Sequence, residues 1–253
     1  MMGSVFFSGS ISIKRLPERI IESINQINEI KEFEILVGDA AGFDSLLQSY
    51  CEKIGFINVT VYSVNDTPRN FVNSFKFKQV TTPDGVKSER KRQTYKDEQM
   101  TADSDISFVV WDEQSKGSYN NIIRALKCNK KVRVFSTRTE QPINDISIDS
   151  ITRIYHNSNG LTATELLELL YTKGVKEFDT VKQLNSFLVE QKYVLKVPEG
   201  SKSTYKSASE TYSFDITHRG KHSGVRFKYE LVELLVNRFK PKGRNGGYGS
   251  LRG

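Results

Sequence analysis

The residues best suited to chemistry lie in three short turns. They are Ser8-Gly9-Ser10, Gly38-Asp39-Ala40-Ala41-Gly42-Phe43-Asp44, and Ser115-Lys116-Gly117-Ser118 within DEQSKGSYNNI (112–122). Each follows an apolar run, and the latter two lead directly into helical spacing. Small residues let the backbone turn sharply and let a ligand approach. A helix start supplies unbonded N–H groups and a partial positive charge. Together these features suit a phosphate or another anion. The candidate ligand-binding residues are therefore Ser8, Gly9, Ser10, Gly38, Asp39, Ala40, Gly42, Asp44, Ser115, Gly117 and Ser118. Asp44 suits a helix cap or a ribose contact. Arg69, just past Pro68, is the best-placed cation for a bidentate phosphate contact. Arg90, Lys91 and Arg92 also offer anion contacts, though Lys91 and Arg92 read mainly as a solvated charge run.

Other chemistry finds little support. Asp39, Asp44 and Asp112 are carboxylates near the same turns, and Asp112 and Glu113 read as solvated turn residues. No serine has a neighbouring histidine to activate it. His156, His218 and His222 are too few and too scattered for a metal cluster, and Cys51 and Cys128 are unclustered. Neither a metal nor a resident cofactor is expected.

The elements that must position these turns alternate. Apolar runs at 5–8, 33–37, 58–63, 106–111 and 131–136 read as strands. Helical spacing covers 16–30, 44–54, 94–100 and 117–128. Strands apolar throughout, alternating with helices, predict a parallel sheet covered on both faces. All three turns then fall on one sheet edge, at the carboxyl ends of the strands, where open α/β sheets bind ligands. The fold class is α/β: a Rossmann-like parallel sheet with helices on both faces, plus a smaller basic α+β, winged-helix-like domain. Residues 64–93 are polar and contain Pro68, Pro83 and Gly85. They read as a long excursion, with a hairpin over the sheet. The expected domains are 1–138 for the ligand-binding part, a linker at 139–160, the basic domain at 161–240 and a disordered Gly/Arg tail at 241–253.

Charge separates the halves. From Tyr171 onward there are 16 Lys and Arg against 8 Asp and Glu, whereas the rest carries 21 against 22. Helices are expected at 161–175, with Thr162 or Thr164 as cap, at 179–193 and at 226–239, with a strand at YSFDITHRG. Interleaved basic and aromatic residues (Lys192-Tyr193, Tyr205-Lys206, Arg226-Phe227-Lys228-Tyr229) suit phosphate contact and base stacking. Lys221, Arg226 and Lys228 are the candidate nucleic-acid contacts, and a protein partner or oligomerisation is the competing use. No apolar run reaches the roughly 18 residues of a membrane span. No basic segment leads into an apolar stretch at the start, so no secretory leader is expected. Cysteine usage points to a reducing cytoplasm.

The turns resemble those of the SLOG superfamily: SGS after the first strand, GDAAGFD after the second, the helix ending Met100-Thr-Ala-Asp103, and SKGSYNNIIRAL. Residues 4–136 carry the resemblance. It implies a Rossmann-like domain that binds a nucleotide or a nucleotide-derived signal. The superfamily includes phosphoribohydrolases of the LOG type, DprA-type DNA-processing proteins and sensors in bacterial defence. The hydrolases carry PGGxGTxxE, but this chain has Asn121 where the glutamate would stand, and the GSR after strand one is Gly9-Ser10-Ile11 here. An amide cannot act as a general base near neutrality. The resemblance therefore implies binding of a signal, with nucleotide N-glycosidase or DprA-like DNA handling as alternatives. The segment VKQLNSFLVEQKYVLK resembles the helical region of phage KilA-type antirepressor C-terminal domains, which implies a phage or bacterial defence or counter-defence setting. A homo-oligomer is expected.

Overall fold

The computed structural model describes residues 2–200 and 202–240. The chain divides into two compact units, 1–154 and 155–253. The expected tail at 241–253 lies outside the described residues.

The first unit carries strands β1 (Gly3–Gly9), β2 (Phe33–Val37), β3 (Val59–Ser63), β4 (Lys76–Gln79), β5 (Ile106–Trp111), β6 (Lys131–Ser136) and β7 (Gln141–Pro142). Its helices are α1 (Glu18–Ile30), α2 (Phe43–Lys53), α3 (Glu89–Asp103) and α4 (Lys116–Lys127). One seven-stranded sheet has the order β4-β3-β2-β1-β5-β6-β7, parallel except for β7. The chain leaves β1 in one direction through β2 and β3, then crosses to β5 and β6 on the other side. The strand order therefore reverses between β1 and β5, which is where such sheets bind ligands.

Both faces are buried, as the all-apolar strands require. Ile20 and Ile24 of α1 and Phe43 and Leu47 of α2 pack with Phe7, Ile35, Val37 and Val61 on one face. On the other face Met100 of α3 packs with Phe6, Leu36 and Tyr62. Two expectations for this unit are corrected. Residues 64–93 form no hairpin over the sheet: β4 pairs in parallel with β3 as an edge strand whose residues are all exposed. The helix expected at 94–100 starts at Glu89, so the whole charge run 90–92 lies in its first turn, and Arg92 donates to the Val64 carbonyl at 2.9 Å.

The expected linker is also structured. Residues 139–160 hold β7 and helix α5 (Ile148–Asn159), on which Ile151 is fully buried. Its polar sequence, IDSITRIYHNSN, hides a short apolar stripe.

The second unit has helices α6 (Ala163–Thr172), α7 (Val181–Glu190) and α8 (Tyr229–Phe239). Its strands are β8 (Val194–Glu199), β9 (Lys202–Ser207), β10 (Ser213–His218) and β11 (Lys221–Phe227). These form two antiparallel hairpins, β8-β9 and β10-β11. Thr162 and Thr180 each close a full capping box, with Glu165 and Gln183. The closing helix begins at Tyr229, not Arg226, because Arg226 and Phe227 pair with β10. Phe227 and Tyr229 are core residues alongside Leu166, Leu184 and Leu231. Tyr193 packs edge-on against Tyr212, with ring centroids 5.5 Å apart. These aromatics fill the unit's interior and its margins, which removes most of the stacking platform expected from the sequence.

Gly42 joins the two halves of the site edge. It takes φ +75°, a left-handed conformation, and a Cβ there would overlap the backbone of Ile11. Gly42→Ala therefore adds both strain and a backbone clash. We expect a loss of at least about 1–3 kcal/mol, read as a lower urea midpoint at unchanged slope.

Candidate functional site

A cavity of about 420 Å³ opens where β1 and β5 end. Ten of the residues expected from the sequence line it: Ser8, Gly9, Ser10, Gly38, Ala40, Asp44, Arg69, Ser115, Gly117 and Ser118. Asp39 and Gly42 do not; they stand behind it and shape it. Sequence reasoning missed Lys96, Asp97, Gln93 and Met100 of α3 and Lys116 and Asn121 of α4, which complete the wall.

The α4 end is the cavity's positive pole. Ser115 is the N-cap, yet its side chain makes no capping bond. The first turn contains no acid and instead carries Lys116. A cation at a helix start opposes the dipole, and an anion bound there would reverse that cost. The hydroxyls of Ser8, Ser115 and Ser118 are buried and have no hydrogen-bond partner among the described residues. A buried hydroxyl left unpaired costs about 1–3 kcal/mol. Three of them lining one cavity, beside uncapped helix N–H groups, form an unfilled set of donors. Gly117 is exposed there, and a Cβ on it would meet nothing within 4 Å.

Asp112 fixes this pole and is not a free base. Its Oδ2 accepts from the hydroxyls of Ser10 and Ser12, both at 2.8 Å. Its Oδ1 accepts from the Ser115 amide at 2.7 Å and the Gln114 amide at 3.1 Å. Burial works against its charge, but these four donors outweigh burial and hold its carboxyl down at about 2. Asp112 thus ties the β1 turn to the β5 turn across the reversal point. Glu113 is also engaged: it accepts from the Ser136 hydroxyl at 2.5 Å. Neither residue is the solvated turn residue expected from sequence.

The opposite wall is built on Asp39, which is fully buried. Arg69 donates to it through Nη2 at 2.7 Å, Nε at 3.2 Å and its own backbone N–H at 3.2 Å. Lys96 Nζ approaches at 3.0 Å and the Ser63 hydroxyl at 2.8 Å. Burial opposes the Asp39 charge, but Arg69 and Lys96 overcome it and hold the carboxyl well below the usual carboxylate range. Arg69 was expected as a ligand contact; it lines the cavity, but its guanidinium is mostly committed to Asp39.

Asp44 differs from both. It accepts one hydrogen bond, from the Ala40 amide at 3.2 Å. Burial raises its carboxyl to about 6, against the pull of Lys96 and with a further push from Asp97 and Asp39. A Cβ at position 38 would overlap the Asp44 carboxylate and stand 2.9 Å from Lys96 Nζ, so any larger residue there must displace both side-chain ends. Asp97, on α3, is likewise raised by burial, against Lys96, Arg124 and a hydrogen bond with Asn121.

The candidate nucleic-acid residues of the second unit differ in their freedom. Lys221 is exposed on β11. Arg226 faces Glu165 at 3.5 Å, and Lys228 caps α8 and donates to the Glu210 carbonyl.

Comparison with known proteins adds little. No family model matches the chain, and no curated protein matches it. One solved structure, reported for the single-stranded DNA binding mode of DNA processing protein A from Helicobacter pylori, is similar at 15% identity, with a TM-score of 0.42 over 75% of this chain and 81% of the other. A likeness that loose carries no functional argument; the Rossmann-like description rests on the strand order above. No helix among the described residues is long and apolar enough to cross a membrane.

Asp39 and Asp44 should respond oppositely to neutralisation. Asp39→Asn strands the buried Lys96 ammonium and should cost about 3–5 kcal/mol. Asp44 releases its proton at the ordinary value of 3.8 when unfolded and at about 6 when folded. Between these values the folded chain holds the extra proton, so Asp44 makes stability fall as pH rises through that window. Asp44→Asn should then be more stable than wild type at about pH 8, by up to about 3 kcal/mol, and near wild type only at about pH 3.5, below the unfolded value. Thermal melts across this range check both signs.

Proposed function

We propose that the first unit binds a nucleotide or nucleotide-derived anion, with its phosphate on the α4 start. The observation that carries this is the trio of buried, unpartnered hydroxyls of Ser8, Ser115 and Ser118 around an uncapped helix N-terminus. The likeness of the three turns to the SLOG superfamily supports the ligand class. The cavity's volume suits one nucleotide-sized group. Its other walls offer a carboxyl (Asp44) and the apolar Met100 and Phe6 for the remainder of such a ligand.

Binding without turnover is the reading these residues favour. Asp112 is saturated by four donors and Asp39 by its cations, so neither can take a proton during a reaction. Asn121 stands where the hydrolases carry glutamate. Asp44 lines the cavity with its carboxyl raised to about 6, and it is the residue on which a nucleotide N-glycosidase would depend.

Gly117→Leu should fill the cavity without harming the fold, since space around Gly117 is open. Calorimetry against a panel of nucleoside mono- and diphosphates and dinucleotides should find a ligand for wild type. The variant should lose it by at least about tenfold, or about 1.4 kcal/mol, and the ligand should be recovered intact by chromatography. Unchanged affinity in a folded variant contradicts the site, and release of free base, lost in Asp44→Asn, establishes the hydrolase instead.

A second partner is supported by charge alone. The surplus of basic residues after Tyr171 favours a nucleic acid contacted through phosphates, in a DNA-handling or defence setting that the SLOG and KilA-type resemblances suggest. With Phe227 and Tyr229 in the core, stacking contributes little, so binding should be insensitive to base sequence. Fluorescence anisotropy of the full chain with single- and double-stranded oligonucleotides should show affinity falling steeply with salt. Lys221→Ala should reduce the log–log slope by about one contact's share, roughly 0.7–0.9. No binding at low salt leaves a protein partner for this unit.

A further inference from the structure

We propose that Asp44 meets the ligand as a neutral carboxylic acid, so that the cavity binds its anion together with a proton and selects for a ligand atom that accepts a hydrogen bond. This deepens, and rests on, the anion-binding reading above.

The geometry sets the charge balance. Asp44 comes from the first turn of α2, where no other charged residue shares the turn. Behind the wall the β2-α2 turn holds Asp39; on the cavity itself α3 presents Lys96 and Asp97, the segment after β3 presents Arg69, and α4 presents Lys116. Arg69 and Lys96 are both spent on Asp39. Asp97 has Asn121 and Arg124 for support. Asp44 has the Ala40 amide and only a share of Lys96. It is the one carboxyl of the three without a cation of its own.

An anion seated on the α4 start shares the cavity with the buried Asp44 carboxyl. Two like charges there repel, the more so because one of them is buried. Neutralising Asp44 removes the repulsion at the least cost, because no salt bridge must break. The acid then offers an O–H to the ligand, where the carboxylate could only accept. A phosphate oxygen, a base carbonyl or a ring nitrogen can take that bond. A ligand presenting only donors to this wall gains nothing from it. The sign follows: with Asp44 titrating near 6 in the free protein, about half of it is neutral at pH 6 and about one part in a hundred at pH 8, so affinity should fall up to about 50-fold over that span.

The test uses inorganic sulfate, whose charge is constant in this range, on the full chain. Isothermal titration at about pH 7 in two buffers of different ionisation enthalpy should give different apparent enthalpies, corresponding to uptake of close to one proton. Asp44→Asn should abolish the difference and bind sulfate with a flat pH profile between about pH 6 and about pH 8. Should that variant fail to fold, the carboxyl carbon resonance of Asp44 in wild type decides: saturating sulfate should move its titration midpoint upward by at least one pH unit. Sulfate binding with no proton uptake, or with an unmoved Asp44 midpoint, overturns this proposal and leaves the anion site standing. A proton uptake that survives in Asp44→Asn assigns it to another group and also overturns it. No sulfate binding to wild type at any pH overturns the anion site, and this proposal with it.

Discussion

The ion pair between Lys96 and Asp39 holds the candidate site together. Both groups are almost wholly buried, 3 Å apart, and each would be prohibitive alone. Arg69 closes the pair from a third segment. One carboxylate therefore pins the β2-α2 turn, the segment after β3 and the face of α3 against each other. Removing it would free three walls of the cavity at once. Because Asp39 takes both cations, it also decides the state of its neighbour. Asp44 is left short of positive charge, and burial raises its carboxyl to about 6.

The cavity is thus asymmetric. At one end Asp112 is tied to Ser10, Ser12 and the Ser115 amide and shapes a rigid, donor-rich pole at the α4 start. At the other end a carboxyl is buried at a cost to stability. Proteins often accept such costs where a site needs a strained or poorly solvated group. The unpaired serine hydroxyls, the cation at a helix start and the buried aspartate with its raised carboxyl are separate departures from a well-satisfied interior. They converge on one cavity at the point where the strand order reverses. A merely structural turn would leave no reason for the three to coincide.

Much of this was legible in the sequence because buried parallel strands are apolar throughout. VFFS, FEILV and ISFVVW declared themselves, and the small-residue turns marked their carboxyl ends. Elements with little buried surface did not. KFKQ forms β4 as an exposed edge strand, with no apolar alternation to reveal it. ERKRQ starts α3 without an apolar stripe, and IDSITRIYHNSN buries little besides Ile151 and Thr152. The roles within the site were less accessible still. Nothing in TYKDEQM says that Lys96 turns inward to meet a carboxylate 57 residues earlier. The sequence could nominate Asp39, Asp44 and Asp112 together, but only their hydrogen bonds separate a hub, a proton carrier and a brace. In the second unit, basic-aromatic pairs suggested stacking, yet Phe227 and Tyr229 were needed for a small core.

The central claim is that an anion binds at the start of α4, inside this cavity. Its most direct test is the amide spectrum of the isotopically labelled full chain titrated with a nucleotide ligand or sulfate. A phosphate or sulfate oxygen bonded to a backbone N–H shifts that resonance strongly downfield. The account predicts the largest shifts at Gly117 and Ser118, with Gly9, Ser10 and Ala40 following at the same midpoint. Shifts confined to another surface, with the amides of 115–118 unmoved at saturation, would contradict it.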